Sequence, residues 1–126
     1  MKGVLGVIRR DGLFLLGTES KNTPLKGKWR LLGGKLEEGE SAERALIREL
    51  NEEAGISIRV VNHLGTRKGS INPMDIDVLL AEHTQGGLVP NEKEIGELKY
   101  FTYDEILALD IDRLSRQIIE DFCKRR

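Results

Sequence analysis

Residues 40–56 read ESAERALIRELNEEAGI, and this stretch decides how the rest of the chain is interpreted. On a helix with about 3.6 residues per turn, Glu52 and Glu53 follow Glu49 by three and four positions and lie on its side of the helix. Carboxylates this close disfavour each other's ionised forms unless a cation lies between them. Mg²⁺ prefers oxygen ligands and is usually held by one or two carboxylates together with substrate phosphates. The stretch therefore predicts a helix that binds a metal and a diphosphate.

The helix is predicted to begin near Ser41, which is an acceptable N-cap. Gly55 lies where a glycine usually caps a helix in the left-handed conformation. Apolar residues at helical spacing predict a buried stripe, formed by Ala42, Ala45, Leu46 and Leu50 or Ala54. The glutamates are then expected to face away from the core.

A glycine-punctuated segment, GGKLEEGE at 33–40, precedes the helix and lets backbone come close to a bound ion. From residue 34 onward the pattern is G, five residues, E, seven residues, REL, one residue, EE, one residue, GI. This pattern resembles the Nudix box at every defined position. A match of this length at fixed spacing is specific, whereas a solvated helix face has no need for the glycines at these offsets.

The resemblance to the Nudix family implies hydrolysis of a nucleoside diphosphate linked to another moiety. It also implies the metal ligands: Glu52 and Glu53, joined by the carbonyl of Gly33. Glu49 would be a ligand or the general base, and Arg48 would steer the carboxylates without touching phosphate. Mg²⁺ is the expected cofactor and Mn²⁺ the alternative. Such an ion lowers the pKa of bound water and stabilises charge on the leaving phosphate.

Two positions near the box keep alternative interpretations. In related sequences the place of Glu40 can be structural as well as metal-linked. Members of the family often add an acidic residue from a loop outside the box, and Glu94 and Glu97 precede the aromatic pair at 100–101 as such residues do. We favour Glu94 as a base or extra ligand. The alternative is that both glutamates are solvated charges at a strand edge.

The substrate is suggested by weaker similarities. Segment 28–35, KWRLLGGK, the pair at 74–75 and the loop at 85–86 resemble members that hydrolyse oxidised purine nucleoside triphosphates. Arg30 stands where some purine-reading relatives have asparagine, and residues 110–112 lack a tryptophan that would stack on a base. A nucleoside triphosphate, cleaved to the monophosphate and pyrophosphate, is the leading expectation.

Other substrates and activities stay open. ADP-ribose-cleaving and dinucleoside-polyphosphate relatives carry a proline or a tyrosine after the box, and INPM at 71–74 matches neither in register. Another nucleoside diphosphate derivative such as ADP-ribose is one alternative, and a nucleotide sensor without catalysis is another. The complete set of glutamates argues against a sensor, since binding needs fewer carboxylates than catalysis.

Several side chains beside the box are candidates for substrate binding. Arg30 and Lys35 are predicted phosphate contacts. Trp29 can stack on a base, although a tryptophan that begins a strand more often packs in the core. His63 and His83 have no metal-ligand spacing and are expected at ordinary strand positions.

The hydrophobic periods predict an α+β fold. An Asp-Gly turn at 11–12 is expected to join the first two strands in a hairpin, and a further turn is expected at 69–73. Strands are predicted at 4–10, 13–18, 29–32, 56–68, 75–83 and 97–102, with a helical turn at 104–107 and a closing helix at 112–124. The Nudix resemblance implies an α/β/α sandwich with a mixed, mostly antiparallel sheet and one central catalytic helix.

Composition limits the class of protein. The 126 residues predict one domain over residues 1–126. The 20 basic and 21 acidic residues include no basic tract, so we expect no polymeric nucleic acid as partner, and no apolar run suits a membrane span. Cys123, the single cysteine, fits a reducing, cytoplasmic location and a packing role. A monomer and a homodimer are both compatible with the sequence.

Overall fold

The computed structural model describes residues 2–69 and 74–124. Seven strands and three helices follow one another within these residues: β1 (Lys2–Arg10), β2 (Leu13–Glu19), β3 (Trp29–Arg30), β4 (Leu32–Lys35), α1 (Ala42–Ala54), β5 (Ser57–Lys68), β6 (Asp75–Gln85), β7 (Ile95–Phe101), α2 (Tyr103–Leu107) and α3 (Arg113–Lys124). Residues 70–73 lie outside the described residues. They include most of the turn predicted at 69–73 and most of the INPM stretch at 71–74.

β1 is the central strand of the sheet. It runs parallel to β6 from the pair Lys2↔Asp75 to the pair Arg9↔Glu82, while β4 pairs with it in the antiparallel direction. The remaining strand pairs, β1 with β2, β2 with β3 and β7, and β5 with β6, are also antiparallel. The mixed, mostly antiparallel sheet predicted from the sequence is therefore confirmed.

The hairpin between β1 and β2 turns at Asp11 and Gly12. Their φ angles are +52° and +78°, so both residues adopt the left-handed conformation that a tight two-residue hairpin requires. Asp and Gly tolerate this conformation better than most residues. The predicted Asp-Gly turn is confirmed.

The two faces of β1 belong to two different cores, because successive side chains of a strand point to opposite faces. Val4 and Ile8 pack into the core beneath α1, where they join Leu46 and Leu50. Val7 packs into the second core, beneath α3. One helix therefore covers each face of the sheet, as the α/β/α prediction requires.

Helix α1 begins and ends as predicted. The Ser41 hydroxyl accepts a hydrogen bond from the backbone N–H of Arg44, and Gly55 closes the helix in the left-handed conformation with φ +69°. The predicted apolar stripe is buried, with Ala42 at its edge. Glu49 and Glu53 are buried as well, at 9% and 4% exposure. The expectation that the glutamates face away from the core is thus wrong for these two.

The reason lies in helix geometry. Glu53 follows Leu46 by seven positions and Leu50 by three, so it continues the buried stripe, and Glu49 lies at the edge of that stripe. Glu52 is displaced toward the opposite side and is exposed. Although the three glutamates are close in sequence, Glu49 and Glu53 are therefore buried and Glu52 is exposed to solvent.

The predicted strand at 29–32 is two short strands, because Leu31 leaves the ladder between them. Its N–H donates to the hydroxyl of Ser115 at the start of α3, at 2.9 Å.

β7 begins at Ile95, two residues earlier than predicted, since Ile95 is fully buried in the core under α1. β6 continues to Gln85, and the closing helix buries Ile118 and Ile119. None of the helices in the described ranges has the length and hydropathy needed to cross a membrane.

Gly33 has no room for a side chain. Its φ is +154°, and a Cβ at this position would lie 1.9 Å from the carbonyl oxygen of Val4 on β1. β4 pairs with β1 here through Leu5↔Gly33 and Val4↔Gly34. The glycine therefore sets how closely the loop before α1 approaches the central strand.

We expect Gly33→Ala to lower the free energy of unfolding by at least about 2 kcal/mol, because the methyl group meets backbone atoms that cannot move independently. Gly87→Ala is the matched control, since a Cβ at that exposed position meets nothing within 4 Å, and its effect should stay within about 0.5 kcal/mol. Urea unfolding followed by circular dichroism measures both. Equal midpoints for the two variants would contradict this account of Gly33.

Candidate metal centre

Three carboxylates converge above the glycine loop. Glu49 and Glu53 come from α1, and Glu94 comes from the segment between β6 and β7. One oxygen from each lies within 4.8 Å of the others. We call these residues the three-carboxylate cluster. The predicted extra acidic residue, Glu94, is thus brought to the box, whereas Glu97 is exposed and donates its backbone N–H to the Thr18 hydroxyl instead.

Glu53 is the most buried member, and its Oε1 atom has no hydrogen-bond partner. Burial raises the pKa of Glu53 to about 9, the Arg30 guanidinium opposes this shift, and the carboxylates of Glu49 and Glu94 add to it. A buried oxygen without a partner is costly, and native structures rarely leave one unsatisfied. A hard divalent cation coordinated by oxygen would satisfy it and offset the repulsion. The cluster therefore fits a divalent metal by its own chemistry.

Arg48 links the carboxylates to one another. Its Nε and Nη2 atoms donate to the two oxygens of Glu40 at 2.8 and 2.9 Å. Its Nη1 atom donates to Glu49 at 2.9 Å and to Glu52 at 3.2 Å. These bonds raise the pKa of Arg48 above its ordinary value, and the bond from Arg48 is the main cause that lowers the pKa of Glu40 to about 2. Arg48 thus contacts Glu40, Glu49 and Glu52, and the steering role that the Nudix resemblance implies for it stays a prediction.

Glu40 holds the loop instead of entering the cluster. Besides the fork of Arg48, it accepts a hydrogen bond from the Glu37 N–H at 2.9 Å. Arg48 also donates to the carbonyl of Lys35 at 3.2 Å. These contacts fasten the loop between β4 and α1 to the helix, which corresponds to the structural alternative for Glu40.

The glycine pair places backbone directly against the cluster. A Cβ on Gly34 would lie 2.7–2.9 Å from the carboxylate atoms of Glu49, so a side chain at this position would displace that carboxylate. Gly33 and Gly34 line one cavity of about 470 Å³ together with all three members of the cluster. We call it the carboxylate cavity. Gly33 therefore lies in the same cavity as the cluster, and the ligand role of its carbonyl stays a prediction.

Cationic side chains line the same cavity. Lys21, Arg30 and Lys35 all contribute to its wall. Arg30 is held by the Glu19 carboxylate at 3.1 Å, with both side chains largely buried, and the Lys21 Nζ atom lies 3.8 Å from Glu94. The carboxylates of this cavity can bind a cation, and its basic side chains can bind an anion. The cavity therefore suits a polyphosphate with a bound metal ion. Arg30 and Lys35 thus lie where the sequence predicts phosphate contacts.

A second cavity of about 280 Å³ adjoins the first, and Arg30, Gly33, Gly34 and Lys35 line both. Its apolar lining is formed by Val4, Leu5, Leu25, Leu31, Met74, Ile76 and Leu114. We call it the apolar cavity. Asp112 lines it too and is 6% exposed. Its Oδ2 atom accepts hydrogen bonds from the N–H and hydroxyl of Ser115 at 3.1 and 3.2 Å.

The sequence predicts that the closing helix begins at residue 112 and shows no tryptophan at 110–112, but it does not predict Asp112 as a site residue. An Asp three residues before a Ser at the start of a predicted helix is a helix-cap signal, and that signal would have identified the buried pair. Nothing in the spacing shows that α3 begins beside the glycine loop, because this contact depends on the tertiary fold.

The side chain of Trp29 lies apart from those of Arg30 and Lys35, the other candidates for substrate binding. It packs edge to face on Phe101 at 4.8 Å between ring centroids, and it is not among the described residues that line the two cavities. The packing alternative thus explains its position, and base stacking at Trp29 is not supported. The histidines have ordinary roles as expected: His83 is buried and bonds the Tyr100 hydroxyl at 2.7 Å and the Gly86 carbonyl at 2.6 Å.

Glu52 lies outside the three-carboxylate cluster in this structure. Its side chain is 50% exposed, and Arg48 donates to it. An ion pair of this exposure contributes little free energy, so the side chain is free to exchange partners. The predicted ligand role of Glu52 therefore remains a prediction.

Comparisons with known proteins agree with this geometry. The model of the NUDIX domain family matches residues 1–122. The NAD-capped RNA hydrolase NudC of Mannheimia succiniciproducens is 31% identical over 105 residues, which cover 81% of this chain and 39% of that protein. The chain therefore spans less than half the length of this curated relative.

Solved structures share the fold over almost the whole chain. The Escherichia coli ORF135 protein is 27% identical with a TM-score of 0.79, and the match covers 98% of this chain and 88% of that one. The MutT protein of Methanosarcina mazei Go1 is 25% identical with a TM-score of 0.83, covering 99% and 94%. The family match, the fold and the arrangement of the box residues agree, and the chain belongs to the Nudix hydrolase family.

Proposed function

We propose that this Nudix hydrolase is a Mg²⁺-dependent pyrophosphohydrolase, with Mn²⁺ as an alternative ion, that cleaves a nucleoside triphosphate to the monophosphate and pyrophosphate. One observation carries the proposal: the buried, unpartnered Oε1 of Glu53 beside two further carboxylates. Burial of this kind is costly in any protein that does not bring a cation to it. The cationic side chains in the same cavity supply the complementary sites for phosphate.

The residues that would hold the ion are Glu53, Glu49 and the carbonyl of Gly33. Glu52 is a further proposed ligand, because its exposed carboxylate can turn from Arg48 toward the cluster. When bound, a divalent ion lowers the pKa of water and neutralises charge on the phosphates. Arg48 keeps the Glu49 carboxylate oriented through its bond at 2.9 Å.

The general base would be Glu49 or Glu94. Both belong to the cluster and can accept a proton from a water held there. Arg30 and Lys35 would bind the phosphates at the junction of the two cavities. Because Glu19 holds the Arg30 side chain at 3.1 Å, the guanidinium is already oriented before the substrate arrives.

The apolar cavity would take the nucleoside. Its aliphatic walls can cover the faces of a base, and Asp112 supplies a buried polar group that can fix the orientation of the base. The triphosphate chain would then extend past Arg30 and Lys35 to the cluster. An oxidised purine remains one proposed base among several.

A second candidate substrate is a nucleoside diphosphate derivative such as NAD or ADP-ribose. The observation that favours it is the similarity to a relative named for hydrolysis of NAD-capped RNA. A sensor without catalysis is less favoured, since the described structure assembles the three-carboxylate cluster completely. The cytoplasmic location and the monomeric or homodimeric state remain predictions.

The activity is tested with Mg²⁺ and a panel of substrates: normal and oxidised nucleoside triphosphates, NAD, ADP-ribose and dinucleoside polyphosphates. We expect release of a monophosphate and pyrophosphate from a triphosphate, with at least about 100-fold lower turnover in Glu53→Gln because the variant removes a metal ligand. Glu82→Gln is the control, since Glu82 pairs with Arg59 on β5 outside the cluster. Binding of nucleotides without cleavage of any panel member would contradict the hydrolase.

The metal-free protein should show the cost of burying Glu53. In the unfolded chain this carboxyl titrates near 4.5, and in the folded protein its pKa is raised to about 9. The folded state therefore binds more protons between these values, and the free energy of unfolding falls as the pH rises, by at most about 1.4 kcal/mol per pH unit. Glutamine has no proton to exchange. In EDTA, Glu53→Gln should melt above wild type at about pH 8, and the difference should shrink toward about pH 5.

Thermal unfolding measured with and without Mg²⁺ checks this expectation. The ion should stabilise the wild type and leave Glu53→Gln almost unchanged, because binding to the folded state alone raises stability. Glu82→Gln should follow the wild type at each pH. A wild type that is as stable as Glu53→Gln at about pH 8 without metal would show that Glu53 is not held as described.

A further inference from the structure

We propose that Asn91 is the positioning residue that fixes Glu94 against the metal-binding helix. This inference rests on the proposed function, since it assumes that the three-carboxylate cluster binds a divalent cation. Glu94 is the one member of the cluster that does not belong to α1. Its carboxylate can join the others only if the segment between β6 and β7 is held in register with the helix.

The backbone of this segment is attached to the end of α1. The N–H of Asn91 donates to the carbonyl of Glu53 at 3.0 Å, and the N–H of Val89 donates to the carbonyl of Ala54 at 2.9 Å. These carbonyls belong to the last turn of the helix, which has no partners for them within the helix. Asn91 is therefore bonded directly to the residue whose carboxylate oxygen lacks a partner.

Asn91 also forms the turn that carries Glu94. Its carbonyl accepts hydrogen bonds from the N–H groups of Glu94 at 2.9 Å and Ile95 at 2.8 Å. Its side-chain Oδ1 accepts from the N–H of Lys93 at 3.2 Å. An Asn side chain that bonds the backbone two residues later stabilises such a turn. One residue thus connects the helix end to the backbone of Glu94.

The contacts on the other side of Glu94 are weaker. Lys21 lies 3.8 Å from its carboxylate with a side chain that is 58% exposed, and an exposed pair of this kind contributes little. The N–H of Ser20 donates to the Glu94 carbonyl at 3.3 Å. Ile95 is fully buried and pairs with Glu19 at the start of β7. Asn91 is therefore the residue that links the backbone of Glu94 to α1, while Ser20 and Glu19 hold the same segment from β2.

The test is the affinity for Mn²⁺, measured by electron paramagnetic resonance without substrate in the wild type, Asn91→Ala, Glu94→Gln and the double variant. Asn91→Ala keeps the backbone bonds of residue 91 and removes the Oδ1 acceptor of the Lys93 N–H. We expect this change to raise the Kd for Mn²⁺ about fivefold, the size expected when one hydrogen bond that stabilises the turn is lost. On the Glu94→Gln background the same change should add less than about twofold, because Asn91 then has no ligand to position. Asn91→Ser keeps a hydroxyl acceptor and should lie between wild type and alanine.

Asn62→Ala is the matched control. The Asn62 Oδ1 atom also accepts a backbone hydrogen bond, from His63 at 2.9 Å, but it lies on β5. Its Kd should equal that of the wild type. Thermal unfolding establishes that each variant is folded, and Asn91→Ser carries the test if the alanine variant does not fold.

The outcomes separate this inference from the proposed function. An unchanged Kd in folded Asn91→Ala or Asn91→Ser, or effects of Asn91→Ala and Glu94→Gln that multiply, would overturn the positioning role while leaving the metal site intact. A wild type that binds no Mn²⁺ would overturn the proposed metal site itself, and the inference with it.

Discussion

The burial of the Glu53 carboxylate is the constraint on which the rest of the site depends. The side chain continues the buried apolar stripe of α1, and its Oε1 atom has no hydrogen-bond partner. A charged group in such a position is unfavourable unless it is neutralised or paired with a cation. The neighbouring carboxylates of Glu49 and Glu94 make ionisation harder still. The fold therefore holds a cluster that is unfavourable by itself and favourable around a divalent ion.

Hydrogen bonds and close packing around the cluster hold its carboxylates in place. Arg48 joins Glu40, Glu49 and Glu52 through one guanidinium, so the loop before the helix is bonded to the helix itself. The glycine pair brings β4 against the carboxylate of Glu49, and the close pairing with β1 leaves no space for a methyl group at Gly33. Since these supports involve backbone or a charged fork, the glycine loop and the Glu49 carboxylate are held in place before any ligand arrives.

Much of this arrangement can be predicted from the sequence, because the box residues lie within one helix and the loop before it. The Asp-Gly hairpin and both ends of α1 follow from local turn and cap signals. The mixed sheet was implied by the family resemblance, whereas the order of its strands was not predicted. The burial of Glu49 and Glu53 was not predicted, since the sheet that covers that face of α1 comes from distant parts of the chain. The place of Asp112 beside the glycine loop was missed for the same reason, and Trp29 takes the packing role because Phe101 lies beside it in the folded sheet. Glu94 was predicted by resemblance, but the turn formed by Asn91 depends on contacts with the helix end.

The most direct test of the central claim is the location of a bound ion in crystals grown with Mn²⁺, found by anomalous diffraction. The account predicts a peak about 2.1 Å from the Oε1 atom of Glu53, with a second carboxylate of the cluster also coordinated. Coordination to the ion would then explain why this oxygen is buried without a hydrogen-bond partner in the protein. A protein crystallised in saturating Mn²⁺ that shows Glu53 paired with Arg30, and no anomalous peak beside it, would contradict the account.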